Sequence, residues 1–244
     1  MENFTTYLIV FTIGLFAGWM IYIIIDNLQE GRLLPFKNLS KNTSHIQRTQ
    51  RYTKNELAVQ LATSIVFMLI YYKYGITADF FFFAYIMFIL IIMFLIDLKT
   101  KIIPDELVIA GIAGGLVVFI YNAFIPLSFY PTANWWEPLV GLLPGSGILF
   151  LIAFLGVIIY KSDEVMGMGD VKIFAPIGIF LGWKMCILAL VVSMFIGGIT
   201  SILLILFRIK KRKDTIPFGP FITIAVFITI LFGREIWDWY FSWL

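Results

Sequence analysis

The sequence predicts an all-α, polytopic integral membrane protein with about eight transmembrane helices. Of the 244 residues, 61% are hydrophobic and only 14% are charged, whereas roughly 25% of the residues in a soluble domain are charged. Apolar runs recur along the whole chain, and most approach the ~20 residues that a membrane-spanning helix needs. Alternation of apolar and polar residues, which a transmembrane β-barrel requires, is absent. The composition therefore excludes a soluble globular protein.

Eight apolar runs are predicted to cross the membrane as helices, because a backbone in lipid must satisfy its own hydrogen bonds. The first has no basic residue before it and no small-residue cleavage site after it, which favours a retained anchor over a removed signal peptide. The sixth is too short to cross about 30 Å at 1.5 Å per residue, so we expect it to start deep in the membrane or to follow a buried loop. In chain order the runs are Tyr7 to Ile25, Leu57 to Tyr72, Phe80 to Ile96, Leu107 to Ile125, Leu139 to Tyr160, Ile173 to Gly182, Met185 to Phe207 and Phe218 to Ile236.

Lysine and arginine are concentrated in alternate loops between these runs. The loops 26–56, 97–106, 161–172 and 208–217 contain 15 of the 18 basic residues. Because basic residues mark cytoplasmic loops, we predict these four loops in the cytoplasm and both termini outside. The net charge of +3 follows from this sorting rather than from a nucleic-acid-binding patch, so the lipid bilayer and not a nucleic acid is the expected partner.

Two aspartates lie at the ends of predicted spans on the same side of the membrane. Asp97 ends the third span, and Asp170 precedes the sixth. An ionisable group at this depth is costly and is a functional candidate, although each aspartate alone could equally be an interfacial helix cap. Gly167 and Gly169 precede Asp170 and let another chain approach the backbone closely.

Two carboxylates within a few Å of each other cannot both ionise cheaply, and they share one proton. One can then draw a proton from water while the other donates to a scissile carbonyl oxygen. If Asp97 and Asp170 converge, they supply the arrangement of an aspartic protease. The alternative from another class is a proton- or cation-coupled transporter that uses the two aspartates as a relay.

Other catalytic chemistries lack their residues in this sequence. The only histidine, His45, lies in a polar loop, and the single cysteine, Cys186, lies in an apolar run. A Ser-His-Asp triad, a disulfide and a thiolate zinc cluster are therefore not expected, and no metal ion is predicted. Transport folds often contain paired repeats, and no internal repeat is found here.

Three motifs occur in order along residues 90–235. They are Ile96-Asp97-Leu98-Lys99 through Ile103-Pro104-Asp105, Gly167-Met168-Gly169-Asp170-Val171-Lys172, and Pro217-Phe218-Gly219-Pro220. Together they resemble those of the type IV prepilin peptidase family of GxGD membrane aspartic proteases. The resemblance implies an endopeptidase of the bacterial inner membrane that cleaves the leader from type IV prepilins or pseudopilin precursors at the cytoplasmic face, without a cofactor. It maps Asp97 and Asp170 onto the catalytic pair.

The remaining motif residues are predicted to support the active site rather than to perform chemistry. Asp105 follows Pro104, which suits the first helical position, so we interpret Asp105 as a first-turn acid. Phe218 to Pro220 are expected to shape the start of the last span. The supporting residues are Gly167, Gly169, Lys172, Pro104, Asp105, Phe218, Gly219 and Pro220.

The N-terminal part of the family often methylates the new α-amine with S-adenosylmethionine, and here the resemblance is weaker. The Gly14–Gly18 stretch lacks the family's Ser and Asn, and the paired Cys-x-x-Cys zinc loop is missing. Arg51 and Glu56 do fit the family's Arg-Tyr-Pro-x-x-Glu stretch and are candidate cofactor-binding residues. We therefore predict a degenerate methyltransferase-like part in residues 1–75 and a GxGD peptidase core in residues 76–244.

Two alternatives within this interpretation remain open. One is a GxGD protease that cuts inside a substrate's membrane span, and the other is a proteolytically inert assembly factor. The position of the cut separates the first from a leader peptidase, and the intact aspartate pair argues against the second.

Overall fold

The computed structural model describes the backbone of residues 2–29, 45–130, 134–160, 167–211 and 214–242. Throughout these ranges the regular structure is helical, and they contain no β-strand. Seven helical stretches are long and apolar enough to cross a membrane. The predicted all-α, polytopic membrane fold is therefore confirmed.

The chain divides into two compact units, Met1–Ile76 and Thr77–Leu244. The first unit contains α1 and α2, and the second contains α3 to α8. Between α5 and α6 the second unit has a π-helical turn, Leu143–Gly147. The helices are α1 (Glu2–Gln29), α2 (His45–Tyr74), α3 (Ala78–Thr100), α4 (Asp105–Phe124), α5 (Glu137–Val140), α6 (Ile148–Tyr160), α7 (Met168–Leu206) and α8 (Gly219–Phe241).

In the first unit, α1 and α2 pack with their backbones close together. A methyl group on Gly14 would lie 2.5 Å from Ser64 Cα, and one on Gly18 would lie 2.5 Å from Gln60 Cα. Small residues four apart permit this close approach of two membrane helices. The Ser64 hydroxyl is buried and donates to the Gln60 carbonyl at 2.8 Å, so it needs no partner from lipid.

The core of the second unit lies where α3, α7 and α8 meet. Its side chains are almost fully buried, with Met87 and Leu90 from α3, Phe174 and Ile177 from α7, and Val226 from α8. Because lipid tails are as apolar as these side chains, close van der Waals packing stabilises the bundle more than transfer out of water does.

Helix α7 folds back on itself at Gly182, whose backbone angles (φ 71°, ψ 174°) are not helical. A methyl group on Gly145 would lie 2.6 Å from the Phe174 carbonyl oxygen and 3.2 Å from Cys186 Sγ. A straight helix would separate Phe174 from Cys186 by about 18 Å, so the two arms of α7 lie side by side. The seven apolar stretches therefore correspond to the eight predicted spans.

The arm of α7 before the break is short, as the sequence predicts. Residues 168–181 extend about 21 Å at 1.5 Å per residue, which is less than the ~30 Å of the hydrocarbon core. The preceding loop, 161–166, lies outside the described residues. The expected deep start of this span therefore stays a prediction.

The fifth predicted span, Leu139 to Tyr160, is not one continuous α-helix. The α-helix α5 ends at Val140, and the π-helical turn intervenes before α6. Pro144 lies in that turn and has no N–H for a regular helical ladder. A methyl group on Gly141 would lie 1.9 Å from the Gly178 carbonyl oxygen, so the irregular segment lies against the backbone of α7.

A polar layer joins α3, α7 and the loop after α4 at the end of the second unit that is remote from Asp97. The Ser128 hydroxyl donates to the Asp79 carboxylate, and the Tyr130 hydroxyl donates to the Ile179 carbonyl at 2.7 Å. Burial, together with the Glu137 and Asp79 carboxylates, raises the pKa of Tyr130 above its ordinary value. Tyr130 therefore stays a protonated donor to the last turn before the Gly182 break.

Candidate active site

Asp97 and Asp170 line the same cleft of the second unit, although 73 positions separate them in the sequence. The cleft has a volume of about 560 Å³. Its walls come from the end of α3, the segment before α4, the start of α7 and the segment before α8. The lining residues are Asp97, Lys101, Ile102, Ile103, Gly167, Met168, Gly169, Asp170, Lys172, Thr215, Ile216, Pro217 and Phe218.

Asp97 lies in the last turn of α3, with 4% of its surface exposed, and it is held by the start of α8. Its Oδ2 accepts a hydrogen bond from the Gly219 N–H at 2.9 Å. Gly219 is the first residue of α8, so the carboxylate also lies at the positive end of a helix dipole. A methyl group on Gly219 would lie 2.7 Å from Asp97 Oδ2. The contact therefore needs a glycine at this position.

The other two residues of the third motif shape the same helix start, as the sequence predicts. Phe218 is the N-cap of α8 and makes no side-chain cap hydrogen bond; its ring lines the cleft. Pro220 is buried in the first turn, where a missing N–H costs no helical hydrogen bond.

Asp170 lies in the first turn of α7. Gly167 is the N-cap of this helix in an extended conformation, and the Asp170 N–H donates to the Gly167 carbonyl at 3.0 Å. A methyl group on Gly169 would lie 2.9 Å from Ile103 Cδ1, so the start of α7 packs tightly on the segment before α4.

The two carboxylates are close enough to interact electrostatically. Two such groups in a partly buried cleft can share one proton, since ionising both is costly. The cleft thus combines a proton acceptor and a proton donor that face a common space.

Lys172 and Asp105 form an ion pair that joins α7 to α4. The Lys172 Nζ lies 2.7 Å from Asp105 Oδ1, and the two side chains are 46% and 65% exposed. Asp105 is a first-turn acid of α4, as predicted, but it is itself the first helical residue, and Pro104 is the N-cap rather than the first helical position. This exposed pair contributes at most about 1 kcal/mol to stability.

Sequence reasoning missed the contact between Lys101 and Thr215. The Lys101 Nζ donates to Thr215 Oγ1 at 2.6 Å, although 114 positions separate the two residues. In the sequence, Lys101 counts only among the basic residues that indicate topology. The signal in the sequence that could have indicated this contact was the position of Lys101, four residues after Asp97 and shortly before Ile103-Pro104.

Of the two residues proposed to bind S-adenosylmethionine, Arg51 and Glu56, the structure describes the side chain of Glu56. The Gly14–Gly18 stretch packs against the backbone of α2. The Glu56 carboxylate accepts a hydrogen bond from Gln60 Nε2 at 3.4 Å. The Arg51 side chain and residues 30–44, where the family's zinc loop would fall, lie outside the described residues.

Comparison with known proteins points to one family. Residues 82–202 match the type IV leader peptidase family. The prepilin leader peptidase/N-methyltransferase of Aeromonas salmonicida is 30% identical over 192 residues, which cover 79% of this chain and 62% of that protein. The protein of the same name from Legionella pneumophila is 30% identical over 184 residues, 75% of this chain and 60% of that protein.

A third relative with this name, from Pseudomonas aeruginosa, is 28% identical over 178 residues, 73% of this chain and 58% of that protein. The chain thus spans about three-fifths of the length of the curated relatives it matches. No solved structure matches the chain.

Proposed function

We propose that the chain belongs to the type IV leader peptidase family, whose model matches residues 82–202, and that it is a membrane aspartic endopeptidase. Its substrates are the precursors of type IV pilins or pilin-like proteins, from which it removes the leader peptide. The observation that carries the proposal is the shared cleft of Asp97 and Asp170, because an aspartic protease needs two carboxylates on one reacting site.

The proposed reaction uses one water molecule and the single proton that the pair shares. The ionised carboxylate takes a proton from water as the water oxygen attacks the scissile carbonyl carbon, and the protonated carboxyl donates to the carbonyl oxygen. The carbon–nitrogen bond of the resulting gem-diol then breaks. The departing amine receives the proton that the first carboxylate had taken, and one hydroxyl of the gem-diol returns a proton to the second carboxylate as the product carboxyl group forms. Both carboxyl groups return to their starting state. One water molecule and the side chains of Asp97 and Asp170 therefore account for every proton that is transferred.

The cleft provides surfaces on which an extended peptide can be held. Ile102, Ile103, Met168 and Phe218 line it with apolar side chains. Gly167 and Gly169 also line it and present no side chain to a bound peptide. These features support a peptide substrate more than a small ion.

The chain is a multi-pass membrane protein, and we propose the bacterial inner membrane as its location, with the cleft at the cytoplasmic face and both termini outside. Lys101 and Lys172 line the cleft and belong to the loops in which basic residues are concentrated. Basic loops remain in the cytoplasm, which supports this orientation.

The decisive experiment measures cleavage by the full-length purified protein and by Asp97→Asn and Asp170→Asn variants. Each variant should remain folded in detergent but lose at least about a hundredfold in the rate of precursor cleavage, since acid–base catalysis contributes that much or more. Glu106→Gln is the matched control, because it removes an exposed carboxylate that does not line the cleft. Undiminished processing by either variant of the pair would refute the proposal.

Product analysis distinguishes the remaining alternatives. N-terminal sequencing should place the cut between the leader and the apolar helix; a cut inside the helix would indicate a different GxGD protease. Ion flux in proteoliposomes without cleavage would favour a transporter. Mass spectrometry with S-adenosylmethionine present tests methylation of the new N-terminus, which remains a prediction from the family resemblance alone.

A further inference from the structure

Two lysines line the cleft that holds the aspartate pair, and their partners differ in charge. The Lys172 Nζ lies 2.7 Å from the Asp105 carboxylate, so its positive charge is balanced. The Lys101 Nζ donates instead to the neutral Thr215 hydroxyl at 2.6 Å. Among the residues that the structure describes, no carboxylate is paired with Lys101. Lys101 therefore contributes a net positive charge to the cleft.

The backbone holds this charge close to Asp97. Lys101 ends α3 in the left-handed conformation (φ 55°, ψ 27°), and its N–H donates to the Asp97 carbonyl at 2.9 Å. This conformation is uncommon for residues other than glycine, and it turns the chain sharply at the end of the helix. As a result, Lys101 interacts electrostatically with the Asp97 carboxylate.

Thr215 connects the same lysine to the segment that contacts Asp97 from α8. Thr215 lies four residues before Gly219, whose N–H donates to Asp97 Oδ2 at 2.9 Å. The 215–219 segment is thus bound at both ends, to Lys101 and to Asp97. The Asp97 carboxylate receives an N–H and faces a cation, whereas the described residues donate no hydrogen bond to the Asp170 side chain.

We infer that Lys101 is a positioning residue that acts through Asp97. Held by Thr215, it adds its positive charge to the Gly219 hydrogen bond in favouring the ionised form of Asp97 over that of Asp170, so that Asp97 takes the proton from water while Asp170 carries the shared proton. This inference rests on the proposed endopeptidase function and deepens it, because it assigns the base and the acid of the pair.

The charged groups around Asp97 on the neighbouring elements do not supply the same effect. From α7, Asp170 is a like charge and Lys172 is engaged by a carboxylate. From α4, Asp105 is that partner of Lys172. From α8, the Gly219 N–H donates to Asp97 Oδ2 and also favours the ionised carboxylate, so the charge of Lys101 adds to the effect of that hydrogen bond.

The test compares pH–rate profiles of the full-length protein with those of Lys101→Met, Lys101→Arg and a matched control, Lys99→Met. Lys99 is exposed in the same last turn of α3, so its loss changes the net charge equally. For Lys101→Met we expect the acid side of the kcat profile to move to higher pH by about half a unit to one unit, with little change in KM. Lys101→Arg should restore the profile, and Lys99→Met should match the wild type.

Two further measurements distinguish a charge held in place from a general structural role. Thr215→Val keeps the lysine but releases it to solvent, so the profile should move in the same direction by less. Raising the ionic strength should narrow the difference between the wild type and Lys101→Met, because salt screens an exposed charge.

The outcomes separate this inference from the function on which it rests. Superimposable profiles for Lys101→Met and Lys99→Met would overturn the inference, provided that the wild type cleaves the precursor. A raised KM with an unmoved acid side would also overturn it, because Lys101 would then bind substrate directly. Absence of cleavage by the wild type would overturn the proposed function and the inference with it.

Discussion

Replacing Gly219 with alanine tests how far the reaction depends on the position of the Asp97 carboxylate. The new methyl group would lie 2.7 Å from Asp97 Oδ2, about 0.7 Å inside the 3.4 Å at which ordinary contact begins. The obstructing atom is a carboxylate oxygen that also accepts the Gly219 N–H. Either the carboxylate rotates away or the start of α8 moves, and both lengthen that hydrogen bond.

A displacement of this size has a predictable kinetic cost. Misplacing a reacting group by about 1 Å can reduce the rate about a hundredfold, so we expect kcat for Gly219→Ala to fall roughly 30- to 100-fold. That loss corresponds to about 2–3 kcal/mol of activation free energy. Because Gly219 is not among the residues that line the cleft, KM should change less than kcat. Mass spectrometry of a precursor over time, with the purified protein in detergent, measures both quantities.

Two other glycine variants calibrate this result. A methyl group on Gly198 in α7 would have no neighbouring atom within 4 Å, so Gly198→Ala should cleave at the wild-type rate. At Gly169 the methyl would meet the flexible end of Ile103 at 2.9 Å, so Gly169→Ala should lose less activity than Gly219→Ala. Cleavage by Gly219→Ala within about threefold of the wild-type rate would refute the argument, since a misplaced carboxylate costs far more.

Three further predictions concern stability. Gly182→Ala should lower the free energy of unfolding by roughly 1–3 kcal/mol, because its φ of 71° and ψ of 174° are essentially restricted to glycine; thermal unfolding at a fixed scan rate measures this, and an unchanged midpoint would contradict it. Tyr130→Phe should lower the free energy of unfolding by about 1 kcal/mol, because the hydrogen bond to the Ile179 carbonyl is lost. Because burial raises the pKa of Tyr130, the phenol's contribution persists at neutral pH and declines only as the pH rises past about 10, a decline that the variant should not show. A double-mutant cycle of Asp105→Asn and Lys172→Met should give a coupling energy of about 0.2–1 kcal/mol that shrinks with added salt, and a larger, salt-independent value would show that the pair is not solvent-exposed.

The number and order of the membrane helices could be predicted from the sequence, because the bilayer imposes a length and an apolar composition on every span. The end of the sixth span at Gly182 was also predicted correctly. The interruption of the fifth span was not. Pro144 marks it in the sequence, but the close approach of Gly141 to the α7 backbone depends on a helix that follows later in the chain.

The candidate site divides in the same way. The positions of Asp97 and Asp170 at span ends are visible in the sequence, and topology alone brings both to one side of the membrane. The contacts of Asp97 with Gly219, and of Lys101 with Thr215, join segments more than 100 positions apart. The hydrophobic pattern does not indicate which helix ends become neighbours on that side of the membrane.

The amino-acid sequence by itself determined that this chain is a helical membrane protein. It also determined which apolar segments cross the bilayer and which two carboxylates reach the same membrane face. Those properties follow from the lipid bilayer, which imposes its requirements on each segment separately. Only the tertiary structure decided that α8 begins beside Asp97, that α7 folds back at Gly182, and that one lysine of the cleft is left without a carboxylate among the described residues. Those properties depend on packing between distant segments, where an approach of a few tenths of an ångström decides which side chain can be accommodated.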